Sequence, residues 1–64
     1  MHDDTLTLEL FRLRYELREA LNNGEMTAKT TQALRRLREV SHGRGELVFE
    51  YRRWCIQLRH GEAA

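Results

Sequence analysis

Sixty-four residues with a net charge of +1, 41% apolar side chains and 33% charged ones describe one small globular domain, not a disordered chain. A single cysteine, Cys55, excludes an internal disulfide, and no apolar run approaches the roughly 20 residues needed to cross a bilayer. A chain this short buries only about 60% of the surface that its unfolded form exposes, so unusually good helix packing or a partner has to supply the rest.

The start, Met1-His2-Asp3-Asp4, is acidic where a secretion signal needs positive charge, and one unpaired cysteine fits a reducing compartment. A cytoplasmic location is expected. The whole of 1–64 reads as one all-α domain.

The first helical segment is expected over 5–22. Leu6, Leu10, Leu13, Leu17 and Ala20 recur at steps of four and three, which places them on one face. Asp3, Asp4 and Thr5 supply capping oxygens and negative charge at the positive end of the helix dipole. Asn22-Asn23-Gly24 ends the segment, since glycine accepts the left-handed conformation found just past a helix C-terminus.

A second helix is expected over 27–40, with Thr27 as N-cap. Met26, Thr30, Ala33, Leu37 and Val40 repeat the spacing, with Leu34 beside them. This stripe is thin, holding a threonine and an alanine. Ser41-His42-Gly43-Arg44-Gly45 then breaks the pattern.

The third helix is expected over 46–60, with Leu47, Tyr51, Trp54 and Leu58 as its stripe and Val48 and Cys55 at the flank. Glu46 suits the first turn, Arg59 and His60 the last, and Gly61 the termination. Trp54 and Tyr51 read as core. Three helices on short glycine loops make a small antiparallel bundle, here expected to be completed by oligomerisation.

Apolar side chains remain after these stripes are assigned. At about 100° per residue, Leu8, Phe11 and Tyr15 cluster opposite the leucine stripe, and Phe49 and Ile56 lie a heptad apart to the side of the Trp54 stripe. A helix apolar on two faces is normally buried on both. Either the first helix is sandwiched between the other two, or Leu8, Phe11, Tyr15, Phe49 and Ile56 meet another chain. The second alternative supplies aromatic anchors of the kind that dominate binding energy, and self-association is its commonest form.

Charge is unevenly placed. Residues 1–34 hold six acidic and four basic side chains, whereas residues 35–60 hold seven arginines and three glutamates. Lys29, Thr31, Gln32, Arg35, Arg36, Arg38, Arg44, Arg52 and Arg53 are candidate contacts to nucleic-acid phosphates or to an acidic protein surface. A helix-turn-helix version would use the second helix as reader, its early turns at base edges and its arginines on phosphate.

Catalytic and metal-binding chemistry finds little support. His2, His42 and His60 have no partner spaced for one helix face, and a nucleophilic Cys55 would need a base and an oxyanion site on a scaffold too small to hold them. The first helix mixes glutamates with arginines on its polar side, unlike a lipid-binding helix. No cofactor, small-molecule substrate or membrane partner is expected. The expected function is a non-enzymatic protein-interaction module: a small regulator, inhibitor or co-chaperone acting as a homo-oligomer. An arginine-rich nucleic-acid-binding regulator is the alternative.

Overall fold

The leucine stripe of the first segment winds into helix α1, Asp4–Asn23; α2 follows at Ala28–Val40 and α3 at Gly45–Ala63. These come from a computed structural model that describes the backbone of residues 4–63 and the side chains of 5–60. The expected capping by Asp3 and Asp4 lies outside the described side chains, as does His2. Short loops send the chain up, down and up, and all three helix pairs touch. So α1 and α3 run in the same direction, with α2 antiparallel to both. The bundle measures 41 × 19 × 15 Å.

Each loop is built from the residues that break the helical pattern. Gly24 takes φ +75 and its N–H donates to the Ala20 carbonyl at 2.9 Å, closing α1. At the start of α2, Thr27 Oγ1 accepts from the Thr30 N–H, while Thr30 Oγ1 accepts from the Thr27 N–H, each at 3.2 Å. That reciprocal box satisfies two donors that a helix N-terminus leaves open. At the other end of α2, Ser41 Oγ donates to the Arg38 carbonyl at 2.7 Å and Arg44 Nη1 to the Val40 carbonyl at 3.0 Å. Gly43 supplies the left-handed residue there, with φ +78.

The third helix departs from expectation at its end. It continues through Gly61 to Ala63. Glycine inside a helix costs about 1 kcal/mol relative to alanine but does not forbid the conformation.

The core gathers the three stripes. Leu17 and Leu37 are wholly buried, joined by Ala20, Ala33, Val40 and Leu58, with Thr30 buried among them. Thr30 and Ala33, which make the α2 stripe thin, are thereby the small residues that face the core between larger leucines. Leu6, Leu10, Leu13, Leu34, Tyr51 and Trp54 pack around this centre while remaining partly open. Trp54 and Tyr51 thus pack against the core as expected, at its margin and partly open. The Trp54 ring closes the seam between α1 and α3, where its polar edge can reach a partner.

Candidate functional site

The seam between α1 and α3 is fixed by one ion pair. Arg14 Nε donates to Glu50 Oε2 at 2.7 Å, and Arg14 Nη2 to Oε1 at 2.8 Å. Trp54 Nε1, one turn along α3, donates to the same Oε2 at 3.1 Å. The fork of donors holds the Glu50 carboxyl below its ordinary value and lifts the Arg14 guanidinium, burial opposing both. This cluster joins residues 36 positions apart, and local spacing gives no sign of it. It also places Tyr15 and Phe49, each next in sequence to a member of the pair, at one level along the bundle.

Around that ion pair lies the apolar surface. Leu8, Phe11, Tyr15, Phe49 and Ile56 are each between 56% and 72% exposed. The sandwich alternative for α1 is thus excluded: α2 and α3 cover its leucine stripe and leave the opposite side open. Phe11, Arg14, Tyr15 and Arg18 frame one hollow on α1. Arg14 and Arg18 also line a larger groove of about 440 Å³, with Phe49, Arg53 and Trp54 on its α3 side. Phe11, Tyr15 and Phe49 therefore belong to one continuous face whose floor is the Arg14–Glu50 pair. Leu8 lies at one end, in a hollow with Arg12 and Glu9, and Ile56 continues the Phe49 row along α3.

Charged side chains border this face. Arg18 on α1 and Glu46 and Arg53 on α3 are exposed there, and none forms an ion pair or side-chain hydrogen bond among the described residues. Arg12 and Glu19 lie round the helix on the other flank of α1, Glu19 in a hollow with Thr27 and Thr30 of α2. Sequence reasoning passed over Arg18 and Glu46 at this border. The heptad spacing of Glu46 with Arg53 on α3 was the available signal.

The structure divides the candidate basic set of the second half. Arg36 is engaged: its Nε and Nη2 donate to both oxygens of Glu9 on α1, and its Nη1 donates to Glu39 Oε1 at 3.2 Å. The Glu9 carboxyl is held below its ordinary value by that hydrogen bonding, and the Arg36 guanidinium is held above its own. Arg44 is engaged as the α2 cap. Lys29, Gln32, Arg35, Arg38, Arg52 and Arg53 stay exposed and form no ion pair among the described residues. Thr31 is exposed too, with its hydroxyl donating to the Thr27 carbonyl. Arg36 and Arg44 thus serve the fold, because each finds an acceptor from its neighbours in the bundle.

Cys55 is half-buried beside Tyr51. Hydrogen bonding with its thiol, and then burial, push the Tyr51 hydroxyl above its ordinary value. No group of three or more His, Cys, Asp or Glu that could hold a metal occurs among the described residues. No helix among them is long and apolar enough to cross a membrane.

No protein-family model, curated protein or solved structure matches the chain.

Proposed function

We propose that the chain is a protein-binding module without chemistry of its own, a small regulator, inhibitor or co-chaperone that works through the α1–α3 face. One observation carries this reading: three aromatic side chains, Phe11, Tyr15 and Phe49, stand more than half exposed around the α1–α3 seam, with Leu8 and Ile56 also exposed, on a protein with only six buried apolar residues among those described. Single exposed hydrophobics are ordinary on soluble proteins, whereas a contiguous apolar patch rimmed by charge marks a binding surface. Aromatic rings carry much of the energy at protein interfaces and lose little rotamer freedom when they bind. The pre-formed Arg14–Glu50–Trp54 cluster supports this use, since it holds the face in shape without a partner.

A photo-crosslinking side chain at position 11 or 49, in cells expressing the chain, tests the proposal. Protein adducts are expected at both positions and not at position 32, which is exposed on α2. Absence of adducts at 11 and 49 would overturn it.

A second reading, polyanion binding, draws on Arg35, Arg38, Arg52 and Arg53, whose charges are unspent within the described bundle. Phosphate binding by these residues would weaken by orders of magnitude with added salt. A gel shift with duplex DNA at low and moderate salt tests it. Absence of retention at low salt would remove this reading.

A further inference from the structure

The Arg14–Glu50 bridge joins two helices that run the same way, so residues equally far beyond it on α1 and α3 share a level. Arg18 stands four residues past Arg14, and Arg53 three residues past Glu50. At about 1.5 Å of rise per residue, these two lie within a fraction of a turn of one level. Both line the groove between the helices, Arg18 on the α1 wall and Arg53 on the α3 wall. Neither forms an ion pair or side-chain hydrogen bond among the described residues. The nearest carboxylate is already engaged: Glu50 Oε1 accepts from Arg14, and Oε2 from both Arg14 and Trp54. Glu46, the other acid of the groove, lies a turn to the opposite side of the bridge, level with Phe11. Two guanidinium forks therefore share one groove with no acceptor left for them.

We infer that this groove binds an acidic amphipathic helix of another protein, its carboxylates seated between Arg18 and Arg53 and its apolar side chains against Phe11, Tyr15 and Phe49. The inference rests on the protein-binding reading and names the partner's chemistry. Arginine forks take carboxylates in bidentate geometry, and a groove between two helices accepts the apolar stripe of a third. Phe11 and Arg18 are seven residues apart, so the partner carries its acids about two turns, roughly 10 Å, from the anchor that meets Phe11. Glu46 repels a carboxylate at the Phe11 end, which confines the partner's acids to the other end.

Charge supports the same occupant. The acids of α1 turn away from the groove: Glu9 meets Arg36 of α2, and Glu16 and Glu19 share a hollow with Thr27 and Thr30. With the bridge neutral, two free arginines and one free glutamate leave the groove at +1. That surplus selects an acidic helix over a basic one. It is small for a phosphate backbone, whose binding grows with the number of charges neutralised.

Peptide display tests the inference, with random 16-residue peptides selected on the full chain. Enriched peptides are expected to carry Asp or Glu about seven residues from an aromatic or aliphatic anchor. By fluorescence anisotropy, Arg18→Glu and Arg53→Glu should each weaken the most enriched peptide about tenfold. Arg35→Glu, on the exposed side of α2, should leave its binding within about twofold. Selection on the chain with both groove arginines reversed should enrich Lys and Arg instead. All three residues are exposed, and unchanged helical circular dichroism confirms that each variant is folded. No enrichment, enriched peptides without acids, or binding indifferent to the reversals overturns the inference. So does a thymidine 20-mer that binds more tightly than the peptide, or a dimer of the chain that the peptide cannot dissociate. If positions 11 and 49 crosslink in cells while the selected peptides show no acidic bias, this partner chemistry fails and the protein-binding reading stands. If neither crosslinks nor enriched peptides appear, both fail.

Discussion

Arg14 of α1 donates two hydrogen bonds, of 2.7 and 2.8 Å, to the Glu50 carboxylate of α3. It ties two helices that have no loop in common, and the Trp54 indole shares its acceptor. Glu50→Gln keeps the shape and removes the charge. Because both side chains remain partly in water, the expected loss is about 1 kcal/mol, or a melting temperature lower by roughly 4–8 °C for a domain of this size. Thermal denaturation monitored by circular dichroism measures it.

Acid should act through the same two clamps. The Glu9 and Glu50 carboxyls both sit below the ordinary value of 4.5 in the folded chain. The unfolded chain therefore takes up protons first as pH falls. The stability these groups contribute is whole above about 4.5 and is lost below it, as pH passes down through the depressed folded values. Melting temperatures of the unmodified chain and of a Glu9→Gln, Glu50→Gln variant should differ at neutral pH and converge in strong acid. A gap that stays constant with pH would show that the carboxylate charges of the clamps contribute nothing.

Core and face should separate cleanly in stability. Leu37 is wholly buried, so Leu37→Ala should cost about 2–5 kcal/mol. That approaches the whole stability of a domain this small, and the variant should be largely unfolded at 37 °C. Phe11→Ser, on the open face, should change the stability of the isolated fold by less than about 0.5 kcal/mol. Urea denaturation at nanomolar concentration, where association is minimal, compares them.

The glycines of the second loop should respond in opposite directions. Gly43 has φ +78, and an added Cβ meets nothing within 4 Å, so Gly43→Ala costs backbone strain alone, about 1–2 kcal/mol. Gly45 opens α3 with ordinary dihedrals and equal space. Gly45→Ala should instead stabilise by about 0.5–1 kcal/mol, by restricting the unfolded chain. Paired melting curves read the two signs.

Most of the architecture was legible because three-and-four spacing survives into the core: Leu17, Ala20, Ala33, Leu37, Val40 and Leu58 were all on predicted stripes and are the buried apolar residues. Thr27 and Gly24 marked helix ends because their local chemistry acts over a turn or less. Gly61 misled for the converse reason, since a helix end depends on the residues beyond it as well as on one weak residue. The role of Arg36 was hidden because its partner, Glu9, lies 27 residues away, and only the crossing of α1 with α2 brings them together. Trp54 carries the same lesson. Its place on a stripe fixed its direction, but how much of it is covered depends on how closely α1 approaches α3. The exposed five were visible as leftovers, while the joining of Phe11 and Tyr15 with Phe49 across the seam required the register set by Arg14 and Glu50.

The two corners of the chain are fastened unequally. Between α2 and α3 the Ser41 hydroxyl and the Arg44 guanidinium both hold the last carbonyls of α2, and Ser41 itself is buried. From Gly24 to Met26, just ahead of the Thr27 cap, the main chain has a single turn bond, from Gly24 to Ala20. Limited proteolysis should accordingly nick the first corner before the second. The bundle would then come apart as a detachable opening rod and a hairpin that travels as one piece, so an exchange of α1 between molecules would begin at Gly24–Met26.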